Sequence, residues 1–392
     1  MNSLEELLTR GVANIIPGKK ELLGKLQNNK KLNIYFGIDP TSTKIHLGHA
    51  VSLRKLNEFA KQGHNVTFLI GDFTALIGDT SDKDSERPAL TIKEIDENFK
   101  TYKKQAGKIL DFSKVKMRYN SEWLKKLNFG EILKLTQKFS VGDFVGRELI
   151  KKRLNDNKRV GLHEFLYPVM QGYDSLMLNT DLQIGGTDQT FNMQAGRTLI
   201  KDKEKRESFI LTTPILEGAD GRKMSKSWGN AIWLDDNPND MFAKVMAIND
   251  DLIVSYYLLA TNVSLEEIDE IKKDVTKRPL ANKRELAFTV TYELCGEKKA
   301  KEAEEYFDKT VKNKELPNDI KSVYSYASGA SLSNIALNEN LISSNSEWKR
   351  LIEQNGVKVN NEIVKDVKID LPKEETLLQI GKRNAIRIKP NK

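Results

Sequence analysis

The spacing of apolar residues changes character along this chain. Residues 33–38, NIYFGI, form a short unbroken apolar run rich in β-formers, and NVTFLIGD (65–72) repeats the pattern. Such runs predict buried strands. Between them apolar residues recur at helical spacing as far as Gln62, where Gly63 is a stop signal. Strand, helix and strand in close succession predict a βαβ unit and a parallel sheet. DLQIGG (181–186) and SFILTTPIL (208–216) predict further strands. From about residue 237 the texture is helical: MFAKVMAINDDLIVSYYLLA and LEEIDEIKKDV read as amphipathic helices, and strand patterns vanish until the end. A stretch rich in Ser, Ala, Gly and Asn (325–333) precedes a last unit. There SEWKRLIEQ predicts a helix opened by a Ser cap, and VKVNNEIV a hairpin turning at Asn360 and Asn361. No internal repeat or low-complexity block is present.

Composition narrows the class. One cysteine, Cys295, excludes an internal disulfide framework and a multi-cysteine zinc site. The start, MNSLEELLTRG, lacks the apolar stretch of a secretory leader, and no run approaches the ~20 apolar residues of a membrane span. A soluble, cytoplasmic protein with no membrane partner is expected. The net charge of +8 suits a polyanionic partner, although lysine-rich composition alone can produce it. The tail GKRNAIRIKP brings Lys382, Arg383, Arg387 and Lys389 close together.

Half of the four histidines fall in IHLGHA (45–50), where His46 opens the helix that follows the first strand. A helix N-terminus offers unpaired N–H groups and partial positive charge, which suits phosphate. His46 and His49 share one face of the first turn and can donate hydrogen bonds to phosphate oxygens. Gly48 removes a side chain where a flat base could lie. Zinc is not expected, because apart from His64 no further histidine or cysteine stands nearby. The second element is KMSKS (223–227), in which Lys223 and Lys226 bracket Met and Ser, with glycines at 218, 221 and 229 leaving the segment mobile. Paired ammonium groups on a mobile loop can close on a triphosphate and stabilise departing pyrophosphate. Alone, any K-x-x-K is more often a solvated loop. No G-x-G-x-x-G follows a strand and no G-x-x-x-x-G-K-[ST] occurs, which removes the usual dinucleotide and P-loop alternatives. In HEFLYPVMQGYDSLML (163–178), Tyr167, Gln171 and Asp174 fall on one helical face, with Leu166, Val169, Met170 and Met177 filling much of the rest. Neutral polar groups and a lone acid among apolar neighbours suggest a lined pocket, though a polar stripe bonded to its neighbours would look the same.

Histidines on the first βα turn followed by a lysine loop after the last strand resemble the class I aminoacyl-tRNA synthetases. The ordered set YFGIDPTSTKIHLGHA, LIGDTSDKDSERP, LHEFLYPVMQGYDS, LQIGGTDQ and GRKMSKS is similar to the bacterial tyrosyl enzymes, particularly their KMSKS-containing subgroup, over nearly the whole chain. The resemblance implies an α/β fold: a Rossmann-like parallel-sheet catalytic domain over 1–236, an α-helical anticodon-region domain over 237–322 and a small α+β RNA-binding domain over 331–392. It implies tyrosine activation by ATP, transfer to tRNA(Tyr), magnesium travelling with ATP, and a homodimer with an interface near 120–160.

The resemblance also implies roles. Tyr35 and Asp174 would hydrogen-bond the substrate phenol, and Gln183 would line the same pocket. Tyr167, Gln171 and Asp79 would hold the α-amino group, with Gln189 by the carboxylate. Gly186 and Asp188 would contact ribose, Gly37 and Asp39 would line the ATP site, and His49 would face the nucleoside. Thr41, His46, Lys223 and Lys226 would stabilise the phosphates, and Lys83 and Arg87 would approach pyrophosphate. Phe36 stands where some relatives carry a Cys that touches the ribose, which puts that contact in question; Ser52 replaces a Thr on the helix after the second histidine, and either departure would change ATP affinity modestly. The competing readings are a synthetase for another aromatic amino acid, chiefly tryptophan, a non-enzymatic RNA-binding protein on the same fold, and a small-metabolite nucleotidyltransferase.

Overall fold

The computed structural model describes residues 4–28, 30–79, 90–312, 320–324, 326–381 and 384–389. Six strands form the first sheet: β1 (Asn14–Ile16), β2 (Asn33–Ile38), β3 (Asn65–Ile70), β4 (Val115–Tyr119), β5 (Leu182–Gly186) and β6 (Phe209–Thr213). All four strands expected from the apolar runs are present, trimmed by a residue or more at some ends. Their order is β1-β6-β5-β2-β3-β4, parallel except for β1, which runs antiparallel along β6. From β2 the chain steps outward through β3 to β4, then returns to the other side of β2 and continues through β5 to β6. The order therefore reverses between β2 and β5, and the crevice beyond their carboxyl ends is where such sheets bind ligands. Register sets Tyr35 opposite Gln183 and Phe36 opposite Ile184 across this junction.

The helix Leu47–Lys61 follows β2. It buries Leu47, Ala50, Val51, Leu53, Leu56 and Phe59, and Gly63 stops it at φ +85°. On the other side of the junction the helices Leu162–Met177 and Thr190–Glu204 pack on each other. Met177, expected to be apolar filling, is exposed at the end of its helix.

Three domains were expected, but contacts gather the chain into two compact units, Met1–Ala300 and Lys301–Lys392. The helical stretch from Pro238 joins the first unit because it is tied to the sheet domain. The helix Ile253–Ala260 packs on Leu47–Lys61, and Arg54 pairs with Glu293 at 2.8 Å with both side chains largely buried. The Arg10 guanidinium donates to the Val263 and Thr261 carbonyls at 2.6 and 2.8 Å.

The second unit carries a sheet of order β7-β11-β10-β8-β9: β7 (Lys321–Val323), β8 (Val357–Val359), β9 (Glu362–Ile363), β10 (Thr376–Ile380) and β11 (Asn384–Ile388). This sheet begins ahead of residue 331, since β7 lies parallel to β11. Trp348, Leu332, Ile335, Ile352 and Ile386 fill its core. Asn360 and Asn361 both take positive φ, 49° and 69°, the conformation a two-residue hairpin turn needs. The helix cap is Ser344, not Ser346: its hydroxyl accepts from the Glu347 N–H at 3.2 Å, and the helix runs Asn345–Glu353. In the basic tail, Arg387 and Lys389 both pair with Glu375, at 2.8 and 3.4 Å, while Lys382 and Arg383 lie outside the described residues. No described helix is long and apolar enough to cross a membrane.

Candidate active site

A cavity of about 630 Å³ opens at the β2/β5 junction. Its walls include Tyr35, Gly37, Asp39, Thr41, His46, Gly48, His49, Asp79, Tyr167, Gln171, Asp174, Gln183, Gly186, Asp188, Gln189, Lys223 and Lys226. Every described residue given a tyrosine, ATP or phosphate role from sequence thus lines one space; Lys83 and Arg87 lie outside the described residues. A volume of this order suits a small organic ligand.

The floor carries two separately hydrogen-bonded groups, the Tyr35 hydroxyl and the Asp174 carboxyl. The Tyr35 hydroxyl shares a hydrogen bond with Ser175 Oγ at 2.8 Å and donates to Gln183 Oε1 at 3.2 Å. Asp174 accepts from Trp123 Nε1 at 2.7 Å on one oxygen and from Asn120 Nδ2 at 3.1 Å on the other. Burial pushes the Asp174 carboxyl up to about 8, against the pull of the Trp123 and Asn120 bonds. Burial also raises the Tyr35 phenol, and the nearby Asp174 adds to this. Ser175, Asn120 and Trp123 escaped the sequence reading. Ser175 follows Asp174 on its helix and could have been found by extending the polar face. Asn120 and Trp123 come from the turn after β4, and no local pattern marks them.

Higher in the cavity, Asp39 brackets three segments. It accepts from the Tyr167 hydroxyl at 2.8 Å and from Thr74 Oγ1 at 2.7 Å. Desolvation and the flanking Asp39 and Asp79 hold the Tyr167 phenol well above its ordinary pKa, so it stays a donor. Gln189 Nε2 donates to Asp79 at 2.5 Å, and Asn192 steadies Gln189 from the next helical turn at 3.0 Å.

At the mouth, His46 and His49 stack with ring centroids 3.8 Å apart. The His46 backbone N–H donates to His49 Nδ1 at 3.4 Å, so the His49 proton resides on Nε2. Desolvation, then Lys223, pull His49 down to about 4, with Asp188 opposing. His46 is lowered by desolvation, by His49 and by Lys223. Both rings are neutral at physiological pH. Gly48 serves this stack as well as leaving room above it, since a β-carbon there would come 2.9 Å from His46 Nδ1.

The two motifs, distant in sequence, meet through backbone pairing. Leu47 N–H donates to the Ile232 carbonyl at 2.9 Å and Leu234 N–H to the Ile45 carbonyl at 2.8 Å. This stitches the segment after KMSKS to the entry of the His46 helix. Lys223 Nζ lies 3.1 Å from Asp188 Oδ2, and Met224 is buried. Gly221 and Gly229 take positive φ, 74° and 67°, and a β-carbon on Gly218 would strike Asn230 at 2.6 Å. Asn230 braces the loop by accepting from the Ser225 N–H at 2.8 Å and donating to Asp220 at 2.7 Å. Ser52 bonds Thr213 Oγ1 at 2.9 Å, tying the histidine helix to β6.

Because the histidine pair is neutral, its protonation is confined to acid. A depressed histidine pKa contributes stability that is present above the ordinary imidazole value of ~6.5 and is lost as pH falls through the folded value. A turnover step that uses these rings as neutral donors is therefore expected to show no imidazole limb between about pH 8 and 6 at saturating substrates. A half-loss of kcat near pH 6.5 would contradict neutral donors.

Comparison with known proteins gives the class: this chain is a class I aminoacyl-tRNA synthetase. Residues 27–312 match the family model described as tRNA synthetases class I (W and Y). The chain is 40% identical to the tyrosine–tRNA ligase of Thermotoga maritima over 98% of this chain and 96% of that protein. It is likewise 40% identical to that of Haemophilus influenzae, covering 100% of this chain and 98% of that one. Among solved structures, the tyrosyl-tRNA synthetase of Archaeoglobus fulgidus complexed with L-tyrosine shares the fold. It aligns with a TM-score of 0.61 at 24% identity, over 77% of this chain and 98% of that chain. The chain belongs to the tyrosine–tRNA ligase family.

Proposed function

We propose the following course for the joining of tyrosine to tRNA in this cavity. The chain activates L-tyrosine with ATP to tyrosyl-adenylate, releasing pyrophosphate, and then transfers the tyrosyl group to the terminal adenosine of tRNA(Tyr). The arrangement of a buried polar floor beneath a neutral histidine pair and a lysine loop carries this reading.

The substrate phenol sits on the floor, between the Tyr35 hydroxyl and the Asp174 carboxyl. Asp79, Tyr167 and Gln171 hold the α-amino group, Gln189 lies by the carboxylate, and Gln183 orients Tyr35. Phenylalanine would displace water from the floor without supplying the hydroxyl that bonds Tyr35 and Asp174, and a hydrogen bond unmade in a buried site is costly. The tyrosine carboxylate is already a nucleophile at neutral pH. Catalysis of its attack on the α-phosphorus therefore rests on positioning and on stabilising charge as it moves onto pyrophosphate. His46, His49 and Thr41 supply fixed donors. Gly37, Asp39, Gly48, Gly186 and Asp188 form the nucleoside side of the site. ATP entry exchanges the Lys223–Asp188 ion pair for Lys223 on phosphate and Asp188 on ribose, and Lys226 completes the cation set. Magnesium arrives with ATP. The enzyme works in the cytoplasm, where its tRNA is used.

A homodimer fits the exposed apolar side chains Phe129 (75% exposed) and Val141 (76%), which fall within the segment expected at the interface.

Pyrophosphate exchange into ATP without tRNA, run over all twenty amino acids, tests the reading. Exchange with tyrosine alone is expected. Exchange with tryptophan or phenylalanine would remove the floor assignment and keep the fold. Absence of exchange with every amino acid, in folded protein that binds RNA, would favour a non-enzymatic role.

A further inference from the structure

Trp228 follows Ser227, a residue of the cavity wall, yet it is 57% exposed. A tryptophan left in water forfeits a large apolar burial, so an exposed one that is also held rigid calls for a partner. Trp228 is held. The Arg222 guanidinium lies 4.0 Å from its ring centroid. Arg222 is fixed in turn by Asp220, which accepts from Nε at 2.8 Å, and Asp220 is fixed by Asn230. The same Asn230 braces Ser225 in the lysine loop. The indole is thus a preset plate, backed by a cation, on the loop that borders the site of chemistry. Lys226, between the plate and the cavity, is exposed and makes no ion pair among the described residues. Aromatic rings beside cations are the elements that bind single-stranded nucleic acid irrespective of sequence.

We propose that Trp228 is a stacking platform for an unpaired base in the 3′ end of the RNA substrate. This rests on the reading of the cavity as a tyrosine–tRNA ligase site. In the transfer step the terminal ribose hydroxyl must reach the tyrosyl carbonyl inside the cavity. The nucleotides before it therefore cross the mouth as a single strand, where a fixed ring offers them a π-face and Arg222 and Lys226 face their phosphates.

The test compares wild type, Trp228→Ala and Trp228→Phe in two assays. Pyrophosphate exchange with tyrosine needs no RNA, and it is expected to be unchanged in both variants. Aminoacylation kcat/KM for the RNA is expected to fall about 5- to 100-fold in Trp228→Ala, the range of one lost base–aromatic stack, and to recover in Trp228→Phe. RNA trimmed of its unpaired 3′ nucleotides should compete with intact RNA less well for wild type, and with a smaller deficit for Trp228→Ala. Undiminished aminoacylation by Trp228→Ala would overturn the proposal. So would an equal fall in exchange, which would make Trp228 a brace for the loop or a seat for adenine. Failure of the underlying reading is separate, because wild type itself would then neither exchange nor charge.

Discussion

Asp174→Ala is expected to lower tyrosine activation by about 10- to 100-fold while leaving the protein folded. The variant loses a hydrogen bond from the substrate phenol to a carboxyl group, and it orphans two buried donors, Trp123 Nε1 and Asn120 Nδ2. Leaving the buried substrate phenol without this partner costs about 1–3 kcal/mol in activation, while the two orphaned donors, unpaired with or without substrate, lower stability instead. Steady-state pyrophosphate exchange reads the loss, and circular dichroism reads the fold. Asp174→Asn is not a mild alternative. Its amide has one acceptor, while the two donors address opposite oxygens, so one N–H would face another. Retention of wild-type exchange by either variant would refute the floor as the phenol site. The raised carboxyl also sets a sign for stability. A carboxyl whose folded pKa lies above its unfolded value stabilises most at low pH, and that contribution is lost as pH rises toward about 8. Tyrosine bound at Asp174 should alter this slope.

The second large effect is structural. Arg153 and Glu164 form an ion pair with 1% and 0% of their side chains exposed. Glu164 accepts from Arg153 Nη1 and Nη2 at 2.6 and 2.9 Å and from the Gly161 N–H at 2.7 Å. The pair anchors the first turn of Leu162–Met177, the helix that carries Tyr167, Gln171 and Asp174. Removing one partner of a buried pair leaves an uncompensated charge and costs about 3–5 kcal/mol. Glu164→Ala is therefore expected to lower the midpoint of thermal unfolding by roughly 10 °C. An apolar replacement of both residues, Arg153→Met with Glu164→Leu, should recover most of it, since such swaps are often neutral or stabilising. A melt of the single variant indistinguishable from wild type would show that the pair contributes nothing.

Much of the sheet and part of the site could be read from local pattern. NIYFGI and NVTFLIGD became β2 and β3 because unbroken β-rich runs of that length bury well only inside a parallel sheet. Gly63 and the Asn360-Asn361 turn were legible because positive φ selects few residue types. The stripe Tyr167, Gln171 and Asp174 was legible because helical spacing alone puts these residues on one face. Long motifs in fixed order supplied the roles.

What could not be read is non-local. Trp123 and Asn120 reach Asp174 from the turn after β4, and Tyr167 bonds Asp39 across the switch point. Lys223 closes on Asp188 only because Ile232 and Leu234 pair with the histidine helix entry. β7 exists as a strand only because β11 offers it an edge, so its short sequence carries no strand pattern of its own. Periodicity reports which face a side chain takes within one element. The sequence of this protein therefore states its central strands, its helix faces and its chemical groups. Which groups touch, and so which carboxyl is raised, which imidazole is neutral and which lysine is paired, depends on how distant segments pack and exclude water.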